Sequence, residues 1–455
     1  MPVPRVVFPH PKNKTGAPMS KTIMMCSFVV LFFISVSQSA EVTLPKKNFN
    51  PLALEEMMLG FIAENNLPGA SVAVAYQGKV VFTAGFGYAE LPSEMNGNRG
   101  VPAAPNSLYR IASISKPITS IAIMQLVEKK KLSLTDKVTE IIKFDPFLEG
   151  DAKPDMRWKE ITVAHLLSHT GGFDRAKSFD AMFKSAQIAK AFNKPAPASK
   201  EDVIRYMMGK KLDFNPGERF AYSNLGYCLL GRIIEKVSNQ TYNDYVTENI
   251  FKPLGIEEIK PGRSLASNRY PNEVVYYPPS PSKANSVFPP YEPVDIAYGT
   301  HDHESLDAVG GWIATARSLV QLASSLDDDA LTRVLGKEAT KLMFSNPKLP
   351  KEEKPSPTFY ALGWNVRPIE NTLKANTWHN GALSGTSTLL VRRHDGYTWA
   401  VLFNGSKPSG KDKPTSPSGA IDPLMHKAVD SAEVPAKDET FSKSARLKRL
   451  RPFKD

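Results

Sequence analysis

The chain has 455 residues, of which 42% are hydrophobic and 23% are charged, a composition that is typical of a globular protein and excludes a disordered one. The formal net charge of +11 lies mostly at the two ends: residues 1–39 carry four lysines and arginines without an acid, and residues 436–455 carry seven against three acids. A basic excess confined to the ends argues against a nucleic-acid-binding protein.

The N-terminal segment has the pattern of a targeting sequence. Lys21 precedes an uncharged and mostly apolar run, residues 22–36, and the small residues Ser37 and Ser39 follow it. This order predicts a secretory signal peptide or signal anchor within residues 1–39 and a secreted or periplasmic protein. The alternatives are a membrane anchor formed by the apolar run, which is short for a bilayer span of about 20 residues, and a mitochondrial targeting peptide.

Two cysteines, Cys26 and Cys228, are present in the sequence. Because Cys26 lies in the apolar run, a processed chain would keep one cysteine and could not form an internal disulfide. Cys228 lies in a strongly apolar helical pattern, which predicts a buried small side chain and not a thiol nucleophile.

Beyond the leader, a helix is predicted over residues 50–66, before the Leu67-Pro68-Gly69 breaker. Residues 70–90 predict two strands joined at Gln77-Gly78 as a hairpin. A mostly helical middle follows. Seven prolines in residues 271–293 predict an irregular, rigid surface loop.

The last third of the chain returns to strands. A helix is predicted over residues 314–326, short strands within 358–404, and a helix near 420–431. The predicted fold class is therefore α/β (α+β), with an antiparallel sheet from both chain ends flanked by helices, and an inserted mostly helical domain. The predicted domains are a sheet domain of residues 46–110 and 300–435, a helical domain of residues 111–299, and a basic tail of residues 436–455.

Ser113 and Lys116 form the first candidate site. A helix places residues three apart on one face, so the amine could remove the proton from the serine hydroxyl. Pro117 fits only in the first turn of a helix, which places Ser113 at the helix start. The alternative is an N-capping serine with a solvated lysine. The same spacing recurs at residues 280–283 and 345–348, where proline interrupts any helix.

Two later motifs supply further polar groups. Tyr222-Ser223-Asn224 precedes an apolar helix and offers a phenol and an amide; the alternative is a polar helix cap with Tyr222 in the core. His379-Asn380-Gly381 stands at the end of one predicted strand, before another. There His379 offers a cation or a hydrogen-bond donor, and Gly381 lets the backbone approach a ligand closely.

Ser113-x-x-Lys116, Tyr222-x-Asn224 and His379-x-Gly381, in this order, resemble the motifs of the serine β-lactamase and penicillin-binding protein family. The variant is similar to the class C β-lactamase group, with its D-alanyl-D-alanine carboxypeptidases, D-aminopeptidases, esterases and the mitochondrial β-lactamase-like peptidase of animals. The resemblance spans about residues 50–435 and includes the phrases at residues 165–173, 216–231, 308–323 and 361–366.

The resemblance implies a mechanism. Ser113 would attack a carbonyl and form an acyl-enzyme that water then hydrolyses, with Lys116 as the proton acceptor if it is neutral. Tyr222 would pass the proton to the leaving group, and Asn224 would hold the amide of the substrate. The backbone N–H groups of Ser113 and Ala382 would form the oxyanion hole.

His379 replaces the lysine that many family members carry, and this difference favours a peptidase or esterase over a true β-lactamase. Ser115 is predicted to pack in the helix and His169 to bind backbone groups. The resemblance implies a small-molecule or peptide substrate and no cofactor, and the eight histidines lack metal-ligand spacing. The alternative function is a catalytically silent peptide-binding or sensor module on the same fold.

Overall fold

The computed structural model of the protein describes residues 49–350, 356–372, 374–406 and 416–430. The predicted signal peptide of residues 1–39, its apolar run 22–36 and the predicted basic tail 436–455 lie outside these residues. Of the helices that the structure describes, none is long and apolar enough to cross a bilayer.

The strands come from two parts of the chain. They are β1 (Gly69–Tyr76), β2 (Lys79–Glu90), β3 (Val101–Pro102), β4 (Tyr109–Arg110), β5 (Ile259–Pro261), β6 (Lys283–Asn285), β7 (Pro293–Asp295), β8 (Trp312–Ala314), β9 (Phe359–Tyr360), β10 (Asn365–Pro368), β11 (Ala375–Leu383), β12 (Thr386–Arg392) and β13 (Tyr397–Phe403). In the described residues, the largest sheet has eight antiparallel strands in the order β3-β2-β1-β13-β12-β11-β10-β9. Smaller sheets have the orders β4-β8-β5 and β6-β7.

The helices fill the middle of the chain and flank the sheet. They are α1 (Pro51–Glu64), α2 (Ser115–Glu128), α3 (Val138–Ile141), α4 (Val163–Leu167), α5 (Ser185–Ala191), α6 (Lys200–Met208), α7 (Asn224–Ser238), α8 (Tyr242–Val246), α9 (Asp307–Gly310), α10 (Ala316–Ser324), α11 (Lys337–Met343) and α12 (Pro417–Asp430). Short 3-10 helices lie at Glu94–Asn96, Ala112–Ile114, Met156–Glu160, Ala181–Phe183, Lys252–Leu254, Ala266–Asn268 and Glu304–Leu306, and a π-helix at Thr247–Phe251.

The first helix and hairpin form where the sequence predicts them. The side chain of Asn50 accepts hydrogen bonds from the backbone N–H groups of Leu52 and Ala53, which starts α1. Gln77 and Gly78 both have positive φ, 48° and 75°, as a tight two-residue hairpin turn requires.

Both faces of the sheet are covered. Because successive side chains of a strand point to opposite faces, Val72 and Val74 of β1 pack in a core with α1 and α12. Ala73 and Ala75 point the other way, into a larger core that includes α2, α7 and α10. This arrangement confirms the predicted fold class. The division into residues 46–110, 111–299 and 300–435 stays a prediction.

The prediction of an irregular surface loop over residues 271–293 is wrong in part. Strand β6 lies inside this segment and pairs with β7, and Glu273, Val274 and Tyr276 are buried. The Tyr276 hydroxyl donates to the Glu273 carboxylate and accepts from the backbone N–H of Arg110, each at 2.8 Å. Prolines prevent a long strand, but these buried polar contacts fix the segment against the strand that leads to Ser113.

Candidate active site

The backbone ahead of Ser113 is anchored to the large sheet. The 3-10 helix Ala112–Ile114 carries Ser113 directly before α2. Ala112 has a left-handed φ of 47°, a conformation that costs a residue with a side chain about 1–2 kcal/mol. The Thr388 hydroxyl on β12 donates to the Ile111 carbonyl at 3.0 Å. Such sheet contacts hold the strained turn and fix the position of the serine.

The Ser113 hydroxyl contacts two of the predicted partners. Its Oγ lies 3.1 Å from Lys116 Nζ and 2.8 Å from the Tyr222 hydroxyl. In the part of the chain that the structure describes, the N-cap positions of the 3-10 helix and of α2 are occupied by Ile111 and Ile114, and neither forms a side-chain cap. Ser113 lies inside the 3-10 helix and not at an N-cap position, so the alternative of a capping serine is wrong.

Lys116 is fully buried, so the alternative of a solvated lysine is also wrong. Its Nζ lies 2.9 Å from Asn224 Oδ1 and 2.9 Å from the carbonyl oxygen of Val309. Burial lowers the pKa of Lys116 well below its usual range; the negative charge of Asp180 opposes this shift, and the positive charge of Arg175 adds to it. The site therefore favours an uncharged lysine.

Tyr222 stays protonated, because burial raises the pKa of its phenol. The ring of His169 packs 4.2 Å from the Tyr222 ring, centroid to centroid, and His169 Nδ1 accepts from the backbone N–H of Ser223 at 3.1 Å. His169 thus holds the Tyr222 segment and has a structural role.

His379 lies inside β11 and not at a strand end, so that prediction is wrong; the strand continues through Gly381 to Leu383. Its Nδ1 lies 2.7 Å from the carbonyl oxygen of Asn380, which can only accept, so Nδ1 carries the proton. Its Nε2 then accepts from the Tyr360 hydroxyl at 3.0 Å. Burial is the main cause that lowers the pKa of His379 to about 3.

A neutral His379 makes stability depend on pH. Between about pH 3 and pH 6.5 an unfolded chain binds a proton at this side chain and the folded protein does not, so stability falls as the pH falls. From pH 6.5 to pH 5 we expect wild type to lose about 2 kcal/mol more unfolding free energy than His379→Gln. Urea unfolding at several pH values measures this, with His394→Gln, in the turn between β12 and β13, as the control. An NMR titration of His379 near pH 6.5 in the folded protein would contradict the expectation.

Gly381 is the point where β11 touches the turn that carries Ser113. A Cβ atom at Gly381 would lie 2.3 Å from the Ile111 carbonyl oxygen and 3.0 Å from Ala112 Cβ. The absence of a side chain therefore lets two backbone segments meet. Ala382, the next residue, is exposed on the same strand. The oxyanion hole of the Ser113 and Ala382 N–H groups stays a prediction.

Sequence reasoning missed three side chains. Asp180 lies 2.6 Å from Asn224 Nδ2, the guanidinium of Arg175 lies 4.8 Å from the centre of the Tyr222 ring, and Tyr360 contacts His379. Asp180 and Arg175 lie just after the phrase at residues 165–173, and no spacing rule marks either of them.

Among the described residues, no group of three or more His, Cys, Asp or Glu side chains could hold a metal ion. Cys228 is buried, as predicted, and burial raises the pKa of its thiol to about 11. A cavity of about 940 Å³ lies by Asp327, Lys341 and Arg392 and includes none of the predicted site residues.

The large sheet, the helices on both faces and the serine beside a buried lysine define a serine hydrolase of β-lactamase/transpeptidase-like fold. The Beta-lactamase family matches residues 54–420, most of the described chain. The chain belongs to this family.

Individual relatives agree with this membership. The chain is 29% identical over 343 residues to penicillin-binding protein 4* of Bacillus subtilis (strain 168), covering 73% of this chain and 67% of that protein. It is 33% identical over 195 residues to protein flp of Staphylococcus aureus (strain MW2), covering 42% of this chain and 34%, about a third, of that protein. The crystal structure of a D-stereospecific amidohydrolase from Streptomyces sp. matches with a TM-score of 0.56 and 25% identity, over 78% of this chain and 94% of that one.

Proposed function

We propose that the protein hydrolyses an amide or ester bond through an acyl-enzyme on Ser113. The observation that carries the proposal is the set of contacts around Lys116. Asn224 Oδ1 and the Val309 carbonyl oxygen can only accept hydrogen bonds, so they take two N–H groups of the amine. A neutral amine has two N–H groups, and its lone pair is then left for the Ser113 hydroxyl.

The same contacts suit the protonated amine. After Lys116 takes the serine proton, its three N–H groups face Asn224, Val309 and the serine oxygen. Both states of the lysine are therefore hydrogen-bonded, and no rearrangement is needed when the proton moves. Tyr222 is less suited as the base, because its phenol holds its proton more tightly than usual.

The proposed reaction has two steps. In the first, Ser113 Oγ bonds to the substrate carbonyl carbon while its proton passes to Lys116, and the N–H groups of Ser113 and Ala382 stabilise the oxyanion. The bond to the leaving group then breaks, and the leaving group takes the proton from Lys116 through the Tyr222 hydroxyl. In the second step, water attacks the ester, giving a proton to the same groups, and Ser113 is released with its proton.

A peptidase or esterase fits the site better than a β-lactamase does. A lysine at position 379 would offer a substrate carboxylate a permanent positive charge, whereas His379 is neutral and both of its ring nitrogens are occupied. The likeness to a D-stereospecific amidohydrolase supports an amide substrate. Secretion directed by residues 1–39 is part of this proposal.

Labelling with a fluorescent fluorophosphonate, which reacts with activated serines, tests the function. Wild type and Ser115→Ala are expected to be labelled, and Ser113→Ala is not. Ser115 is a matched control because it is buried two residues away and its Oγ accepts only a 3.4 Å contact from the Trp312 N–H. Unchanged labelling of Ser113→Ala would contradict the proposal. An unlabelled wild type that binds peptides saturably would favour the silent module.

A further inference from the structure

We propose that Asp180 is a positioning residue of this site: its carboxylate fixes the orientation of the Asn224 amide, and the amide fixes Lys116 beside Ser113. The inference rests on the proposed function, because Lys116 is the base of that reaction and Asp180 is proposed to act on Lys116 through Asn224. Asp180 precedes the short helix Ala181–Phe183 and belongs to none of the motifs of the sequence.

The two oxygens of Asp180 have separate partners. Its Oδ1 accepts from the backbone N–H of Met182 at 3.3 Å, an ordinary cap of the short helix. Its Oδ2 accepts from Asn224 Nδ2 at 2.6 Å, a charge-assisted hydrogen bond that a cap does not need. The side chain is 19% exposed, so this bond is partly shielded from water.

The carboxylate decides which way the Asn224 amide faces. With Nδ2 toward Asp180, Oδ1 points to Lys116 Nζ at 2.9 Å. A reversed amide would place its NH₂ group against the N–H groups of Lys116 and its oxygen against the carboxylate, two repulsive contacts. Asn224 Oδ1 is one of the two acceptors that orient the N–H groups of Lys116 and so point its lone pair at Ser113. Without Asp180, the orientation of this acceptor is no longer fixed.

Asp180 also provides a charge for the reaction. Burial favours the neutral form of Lys116 at rest, and the same burial makes the ammonium that forms during the reaction costly. The negative charge of Asp180, linked through Asn224, lowers that cost. Arg175 acts in the opposite direction, and its guanidinium lies 3.5 Å from Asp180 Oδ2.

The other titratable groups around Lys116 are uncharged. The rings of Tyr222 and Tyr227 lie 4.9 and 5.4 Å from its Nζ, and burial raises the pKa of both phenols. Burial lowers the pKa of His169 and of His379, so both imidazoles are neutral. Asp180 and Arg175 are therefore the two charges whose removal should be felt at Lys116.

The test compares Asp180→Asn and Asp180→Ala with Asp174→Asn. Asp174 is a matched control on the same stretch of chain, 18% exposed and paired with Arg219 at 2.7 Å. Removing the Asp180 charge should shift the acid limb of kcat/KM for p-nitrophenyl butyrate to lower pH by about one unit, and Arg175→Gln should shift it to higher pH. Asp180→Ala, which also loses the acceptor, should lower kcat/KM by about tenfold and by more than Asp180→Asn does.

A second measurement does not depend on turnover. The ¹³Cε NMR signal of Lys116, assigned by its loss in Lys116→Met, reports the pKa of the amine directly, and Asp180→Asn should lower that pKa. An unmoved pKa and acid limb in Asp180→Asn, or an equal shift in Asp174→Asn, would overturn the inference. If Ser113 is not labelled in wild type but Asp180→Asn still lowers the pKa of Lys116, the proposed hydrolysis fails and the positioning role stands.

Discussion

Replacing Lys116 with methionine is expected to lower kcat/KM for a p-nitrophenyl ester by about a thousandfold, the scale of a lost general base. Methionine has nearly the same length and fits the buried space, but it offers Ser113 no lone pair of comparable basicity. Steady-state hydrolysis and the rate of fluorophosphonate labelling measure the effect. Lys129→Met, an exposed lysine just after α2, is the control and should retain full activity.

The stability of Lys116→Met is not expected to fall with its activity. A buried amine is costly even when hydrogen-bonded, and an apolar side chain in its place removes that cost. We therefore expect Lys116→Met to unfold at the same temperature as wild type or higher. Retained turnover in a folded Lys116→Met protein would show that another group takes the Ser113 proton.

Replacing Gly381 with alanine is expected to reduce both stability and activity. The new Cβ atom would lie 2.3 Å from the Ile111 carbonyl oxygen, a backbone atom that cannot rotate away. Separating β11 from the Ser113 turn should cost about 2 kcal/mol of unfolding free energy and at least about a hundredfold in kcat/KM. Urea unfolding and steady-state kinetics measure the two losses.

Gly60→Ala is the matched control for this variant. Gly60 lies within α1 with nothing inside 4 Å of its added Cβ, so alanine there should be neutral or stabilise the helix by about 0.5–1 kcal/mol. If Gly381→Ala behaves like Gly60→Ala, the contact between β11 and the turn has no role in holding the site.

Local signals in the sequence predict much of the fold. The α1 helix follows from its apolar spacing and the breaker after it, and the β1–β2 hairpin from the Gln77-Gly78 turn. The ordered structure of residues 271–293 has no local signal in the sequence, because it depends on distant partners, such as the contact of Tyr276 with Arg110. Proline content describes which local conformations are excluded, and says nothing of such tertiary contacts.

In the candidate site, too, some residues follow from signals in the sequence and others depend on tertiary contacts. Ser113 and Lys116 are close in sequence, so a helical spacing predicts their contact, and motif order adds Tyr222. The neutral state of His379 depends on burial, and its Nε2 contact comes from Tyr360; no spacing in the sequence reveals either of them. Asp180 is hidden for the same reason, since its partner Asn224 lies 44 residues further along the chain.

The pairing of β1 with β13 has a consequence for the order of events during synthesis. Ser113, Lys116 and Tyr222 leave the ribosome long before Gly381 and Thr388, which hold the serine turn in place. A nascent chain that ends before β13 also lacks the strand that pairs with both β1 and β12, so the two parts of the large sheet cannot join. We therefore expect Ser113 to become reactive only once almost the whole chain has been made, so that an incomplete chain does not yet react with substrates.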